Sequence, residues 1–225
     1  MTVKVFIGFD PREVVAVNVL TDSIQAHSSV PVEICQVRLS QLKDCYHRPT
    51  NKLQSTDFSF SRFFVPWLCN FEGWALFIDA DMLCLGDIKD LWDLRDEAYA
   101  VQVVKHNHEC EIGQKFQGMP QTPYPRKNWS SVMLFNCKRC HDLTPAYANT
   151  ASGLELHQFK WLSDSEIGEL PPEWNVLVGA QPVPTNTQIL HYTLGGPWFD
   201  DCLDMPHSSI WQEARVAMNH PLPIS

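Results

Sequence analysis

"WALFIDADMLCL", residues 74–85, sets two carboxylates in one of the most apolar stretches of the chain. Asp79 and Asp81 follow the run "ALFI", and only Ala80 separates them. A buried unpaired carboxylate is costly, and a neighbouring like charge raises that cost. "ALFI" has the composition of a buried strand. In an open α/β sheet, ligands bind beyond the carboxyl ends of the strands, so "DAD" falls where a ligand crevice opens. Residues i and i+2 of an extended segment point the same way. Two carboxylates so aligned can share a divalent cation, which removes their repulsion. The alternative is that Asp79 caps the next turn and Asp81 pairs with a Lys or Arg. The two readings differ in what replacement should do: if the acids only repel one another, replacing either leaves the metal-free protein at least as stable.

Working outward, "VKVFIGF" (3–9) is a β-branched apolar run, a predicted buried strand. Val14, Val17, Leu20 and Ile24 then recur at helical spacing. Asp10, Pro11 and Glu13 suit the N-cap, N1 and N3 positions of that helix, a capping-box pattern. "VPVEICQV" (30–37) is a second strand, and this β-α-β opening predicts an α/β fold with a mostly parallel, Rossmann-like sheet flanked by helices. "FSFSRFFVPWLCNF" (58–71) is predicted helical up to a break near Pro66. "GDIKDLWDL" (86–94) is predicted to be a turn and a short helix, and "YAVQVV" (99–104) and "SSVMLFNC" (130–137) further strands. Between those strands, residues 105–127 are too rich in turn formers for a regular element. Residues 141–175 are predicted mostly helical, "QILHYT" (188–193) a late strand and "SSIWQEARVAM" (208–218) a last helix.

The chain has 225 residues, of which 44% are hydrophobic, and no internal repeat or dividing linker, so one domain over 1–225 is expected. A net charge of −9 argues against broad binding to nucleic acid or to an anionic membrane. There is no run of 18 apolar residues and no signal-peptide pattern at the N-terminus, so neither a membrane span nor secretion is expected. Eight cysteines in such a chain are expected to be reduced thiols, with the cytoplasm as the location.

His191 opens "HYTLGGPWF", directly after an apolar stretch, and a Gly-rich loop ending in Pro-Trp follows it as a loop folding over a ligand would. Two carboxylates and an imidazole, with positions left for phosphate and water, suit an octahedral cation. Mn²⁺ fits best, with Mg²⁺ the second choice.

With these pieces in view, the chain resembles the retaining glycosyltransferases of family 8, which have the GT-A fold. The resemblance runs in order through "FIGFDPRE", "FSFSRFFVPWL", "WALFIDADMLCLGDIKDLW", "NWSSVMLFN", "LPPEWN" and "HYTLGGPW", and spans residues 3–199. It implies a DXD motif in which Asp79 and Asp81, with His191, hold a metal on the diphosphate of a nucleotide-sugar donor, most often a UDP-sugar. Transfer to an acceptor hydroxyl would retain the anomeric configuration. It further implies donor contacts by Phe9, Asp10 and Arg12, by Arg62, by Asp79 and the intervening Ala80, and by Asn128, Ser130 and Ser131.

Two departures stand out. Where the family commonly carries Lys before Pro-Trp, this chain has Gly195 and Gly196, whose backbone N–H groups could bind a phosphate oxygen. Lys105, Arg126 or Lys127 could instead supply the charge. The family's Asp-Gln-Asp segment is reduced to "HQF", leaving Gln158 and the more distant Asp164 as candidates on the reacting face.

"CKRCH" (137–141) matches a haem-attachment pattern, but that chemistry needs an exported chain. With "HNHEC" (106–110) it could form a zinc site, but the spacing matches no common zinc module. Two other functions share many of these features: a nucleotide-sugar binding protein that has lost catalysis, and a metal-dependent nucleotidyltransferase. The latter ranks lower, because no Gly-rich, Lys/Arg-bearing triphosphate loop follows the first strand.

Overall fold

The computed structural model describes residues 1–49, 56–107, 125–180 and 182–220, with the backbone alone at 113–114 and 120–121. Strand β1 (Val3–Gly8) is buried almost throughout, as an apolar strand inside a parallel sheet must be. Asp10 caps a 3₁₀ turn at Pro11–Glu13 that runs into helix α1 (Val14–His27). Val17, Leu20 and Ile24 of the predicted stripe are fully buried, whereas Val14 is 42% exposed because the turn before it shifts the apolar face. Strand β2 (Val32–Val37) alternates between half-buried and exposed positions, the signature of a sheet edge.

Pro66 does not break a helix here. Short helices α2 (Phe58–Ser61) and α3 (Val65–Leu68) flank a 3₁₀ turn, and Pro66 sits in the first turn of α3, where its missing N–H costs nothing. Strand β3 (Trp74–Ile78) ends at Asp79, and β4 (Met82–Cys84) begins just after Asp81. Helix α4 (Ile88–Asp93) is capped by the Asp87 carboxylate. Strand β5 (Val101–Val103) follows. Inside the stretch expected to lack regular structure, β6 (Gly113–Gln114) and β7 (Pro120–Gln121) pair antiparallel. Next come β8 (Val132–Asn136), α5 (Pro145–Thr150) and α6 (Gly153–His157).

The segment expected to be mostly helical also holds a strand, β9 (Ile167–Glu169), which pairs parallel with β5 and completes the sheet edge. Gly168 carries too little side chain to announce it, but it admits Tyr99 and Gln102, which an added Cβ would meet within 2.7 Å. Strands β10 (Val176–Leu177) and β11 (Ile189–His191) precede the last helix, α7 (Ser208–Asn219).

The main sheet has the order β2-β1-β3-β8-β5-β9, with β8 antiparallel to both neighbours and the other pairs parallel. Its core includes Phe63, Phe77, Phe135 and Leu134, all fully buried, each worth roughly 1.5–3 kcal/mol of burial. Register decides what gathers at one end. Ile7 of β1 lies beside Ile78 of β3, and Val132 of β8 lies on the other side of Ile78. Asp10, Asp79 and Ser131 therefore leave the sheet together, and the Asp79 N–H donates to the Ser131 carbonyl at 3.0 Å. A smaller sheet, β10-β11-β4, pairs His191 antiparallel with Met82, and the Tyr192 N–H donates to the Asp81 carbonyl at 2.8 Å. Helix α1 packs on β4, whose Cys84 N–H donates to Ser23 Oγ at 3.2 Å. Gly8 is demanded by close approach: a Cβ there would lie 2.5 Å from the Phe58 ring.

Candidate active site

The strand ends bring Asp79, Asp81 and His191 together, with one potential ligand atom from each within 4.8 Å of the others. His191 Nε2 faces Asp81 Oδ1 at 3.4 Å. The other ring nitrogen, Nδ1, meets Asn175 Oδ1 at 2.8 Å. Asn175 is fully buried and its amide nitrogen donates to the Asn128 carbonyl at 3.2 Å, which turns its oxygen toward the imidazole. Nδ1 must therefore carry a proton, so that in the neutral imidazole Nε2 presents its lone pair to the carboxylates. A lone pair aimed at a carboxylate is repulsive unless a cation or proton lies between them. A buried partner that fixes the tautomer is the usual companion of a metal-binding His. Asn175 closes the "LPPEWN" stretch, and its role is the part of the site the sequence reading missed. The available signal was a polar residue between buried Trp174 and Val176.

The acids are not balanced by a cation site alone. Arg62 NH1 lies 2.8 Å from Asp79 Oδ1, with both side chains nearly inaccessible. That same NH1 donates to the Ser130 carbonyl at 2.7 Å and Nε to the Phe58 carbonyl at 3.1 Å, while the guanidinium sits near the rings of Phe58 and Phe77. Arg62 therefore meets Asp79 as a close ion pair, whose geometry gives Oδ1 no hydrogen bond. Burial pushes the Asp79 carboxyl up from its usual range, Arg62 pulls it back, and Asp81 pushes it up again. The pairing expected in the alternative reading thus exists, but at Asp79 rather than Asp81. Two carboxylates and an oriented imidazole with ligand atoms within 4.8 Å of one another together suit a divalent cation.

Asp10 accepts from the Arg12 N–H at 2.8 Å, from Arg12 Nε and NH2 at 3.0 and 2.7 Å, and from the Asp57 N–H at 3.0 Å. Burial alone would raise this carboxyl, but those hydrogen bonds outweigh it and hold the pKa below the ordinary value of 3.8. A depressed carboxyl contributes stability that is present above its ordinary value and lost as the pH falls through the folded one. Asp10→Asn keeps a cap but removes the charge. It should cost about 1–2 kcal/mol at neutral pH and flatten the acid limb of melting temperature against pH below about 4. Phe9, on the same loop, lies under the Arg38 guanidinium at 3.8 Å.

The sequence matches glycosyl transferase family 8 over residues 14–202. The chain belongs to that family. Protein CDI of Arabidopsis thaliana is 45% identical over 217 residues, covering 92% of this chain and 84% of that protein. Among solved structures, the bifunctional glycosyltransferase WbbM superposes with a TM-score of 0.69 at 17% identity. The match covers 98% of this chain and 50% of WbbM, so this glycosyltransferase spans half the length of that chain. GlyE of Streptococcus pneumoniae gives 0.62 at 17% identity, covering 97% of this chain and 63% of GlyE. The galactosyltransferase LgtC, determined with donor and acceptor sugar analogues, gives 0.60 at 13% identity and covers 98% of each chain. At these identities the structural likeness establishes the GT-A fold.

Within the glycosyltransferase, Ser130 and Ser131 are buried at the start of β8, and Asn128 occupies a left-handed turn (φ 65°) beside them. Ser130 Oγ lies 2.8 Å from His157 Nδ1, whose ring stands edge-on to Phe63. His157 is a second residue the sequence reading passed over, in favour of its neighbour Gln158. The Gln158 carbonyl accepts from Arg126 at 2.7 Å, and the same guanidinium holds Asp164 at 2.5 Å. Asp164 is 84% exposed, and Arg126 keeps its carboxyl below the usual range. Lys105 and Arg126 both approach the Trp129 ring, at 5.8 and 5.3 Å, so this basic group lies next to the serines; Lys127, next to Arg126 in sequence, is buried.

The Gly195 N–H donates to the Tyr192 carbonyl at 2.9 Å, so a phosphate contact from that group would have to displace it. At Gly196 a Cβ would strike the Trp198 ring at 2.0 Å, which makes glycine a packing requirement there. Cys137 and Cys140 are buried in the core, where their thiols are inaccessible to a haem vinyl group. His108 and Cys110 lie outside the described residues, among which Asp79, Asp81 and His191 form the one convergent metal-ligand group. Among the described residues, no helix is long and apolar enough to cross a membrane.

Proposed function

We propose that residues 1–225 act as one catalytic domain that transfers a sugar from a nucleotide-diphosphate donor, foremost a UDP-sugar, to an acceptor hydroxyl with retention. The observation that carries this reading is the Asn175-oriented His191 facing Asp79 and Asp81 at the ligand edge of a GT-A sheet. Asp79, Asp81 and His191 would hold a divalent cation, Mn²⁺ before Mg²⁺. When bound, that ion stabilises the negative charge that grows on the diphosphate as the sugar C1–O bond breaks.

The residues around it divide the donor. Phe9, Asp10 and Arg12 leave the sheet on the nucleoside side, and Asn128, Ser130 and Ser131 on the side assigned to the sugar. Arg62 links the two through Asp79 and the Ser130 carbonyl. The acceptor hydroxyl would attack C1 from the face the diphosphate leaves, and its proton would pass to the departing phosphate oxygen. That route needs no protein nucleophile, so Gln158 and Asp164 would orient groups on the reacting face. The cysteines among the described residues are free thiols, which supports the cytoplasm as the working compartment.

A second reading, a donor-binding protein without turnover, is favoured by one observation: the Asp164 carboxylate is exposed and bound to Arg126. A thermal-shift screen of nucleotide sugars with and without Mn²⁺, followed by product analysis, separates the two. A true donor at 100 times its dissociation constant should stabilise the fold by about 2.7 kcal/mol, only with the cation, and should then be consumed. Stabilisation without consumption, with any acceptor offered, supports the second reading. No stabilisation by any donor would sink both.

A further inference from the structure

Arg38 is a cation on the nucleoside side of this site that neither the sequence motifs nor the donor contacts above use. Strands β1 and β2 run parallel with Gly8 beside Val37, so Phe9 and Arg38, one residue further on, leave the ligand edge of the sheet side by side. The guanidinium carbon stands 3.8 Å from the centroid of the Phe9 ring, stacking distance for a planar cation on an aromatic face. Arg38 Nε and Nη2 each donate to Gln36 Oε1, at 3.2 and 2.6 Å. Two contacts thus fix the plane of the group, the ring beneath it and the amide oxygen beside it.

What is left over decides what it can bind. A guanidinium has five N–H donors and no acceptor. Two are committed to Gln36, and among the described residues no carboxylate pairs with Arg38, unlike Arg12, which Asp10 holds. Arg38 also lines an open cleft of about 580 Å³ with Gln36, Gln41 and Thr21, so a ligand can reach it. Planar, clamped and able only to donate, the outer edge of the group matches a flat ligand edge that carries a carbonyl oxygen. It is mismatched to one that carries an amino group, which would bring donor against donor.

We propose that Arg38 is a specificity-determining residue for the base of the donor: its outer edge donates to the ring carbonyl of a keto base, uracil O4 or guanine O6. Cytosine and adenine carry an amino group at the same ring position and are selected against. This inference rests on the nucleotide-sugar reading given above. The test is a calorimetric titration of the full chain, with Mn²⁺ present, by UDP, CDP, GDP and ADP, for the unsubstituted protein, Arg38→Met and Arg38→Lys. The four nucleotides share ribose and diphosphate, so UDP against CDP, and GDP against ADP, isolates the base edge.

The unsubstituted protein should bind UDP over CDP, or GDP over ADP, by about 10-fold or more. Arg38→Met keeps an unbranched side chain against Phe9, and Arg38→Lys keeps the charge without the planar fork. Each should bring the preferred pair to within about threefold, by weakening the keto nucleotide. A pair ratio that Arg38→Met leaves unchanged overturns the inference. Equal loss for all four nucleotides in Arg38→Met, recovered in Arg38→Lys, would place the charge on phosphate and overturn it too. An unsubstituted protein that binds all four alike also overturns it. If it binds none of them, the nucleotide-sugar reading itself fails and takes this inference with it.

Discussion

Asp81→Asn should lower sugar transfer by about 10³-fold or more, roughly 4 kcal/mol of transition-state stabilisation, while leaving the metal-free protein at least as stable as before. The reasoning starts from charge. The Asp81 side chain keeps 16% of its accessible surface and faces His191 Nε2, while the Asp79 carboxylate lies nearby as a like charge. Removing its charge relieves repulsion in the metal-free state. With the cation, the same change deletes an anionic ligand from a set of three. The measurements are turnover of the preferred donor with Mn²⁺ and a thermal melt in chelator. Retained turnover would remove Asp81 from the metal site. A large fall in metal-free stability would show that its pairing is structural.

Asp79 should behave differently, although it is the other half of the same motif. Arg62→Met should destabilise the protein by about 3–5 kcal/mol, and Asp79→Ala by a comparable amount, because each leaves the other charge buried without its ion partner. Arg62 would keep the Ser130 and Phe58 carbonyls, but these are neutral acceptors. Asp79, without Arg62, would face Asp81 with no cation of the protein's own. The double variant Arg62→Met/Asp79→Asn should recover part of the loss, since it removes both charges together. Denaturant midpoints at constant slope report the effect. Single variants within about 0.5 kcal/mol of the unsubstituted protein would show that the pair contributes no net stability. The expectation from sequence, that replacing either acid is harmless to the metal-free fold, is therefore kept as the prediction for Asp81, and the opposite is predicted for Asp79.

That division follows from what a sequence can carry. The strand "ALFI" and its exit "DAD" were legible because both depend on local apolar runs and on where such a run stops. The same holds for β1 and for the cap at Asp10. The two-residue strands β6 and β7 and the three-residue strand β9 were not legible. Elements this short have no periodicity, and they exist through the hydrogen bonds of a neighbour. Val14 was misplaced because a 3₁₀ turn before α1 rotates the helix face, and no residue type announces that turn.

The site divides in the same way. Sequence by itself determined that two carboxylates stand at the end of a buried strand and that an apolar segment far along the chain ends in His191. Only the tertiary structure decided which charge meets which. Arg62, in the turn after α2, reaches Asp79 across the Phe77 ring of β3, Asn175 orients the His191 imidazole, and Glu13 is buried without the hydrogen bond that would cap its helix. Each of these depends on the register between segments distant in sequence. Register is set by the packing of whole strand faces, and no local pattern at either partner records it.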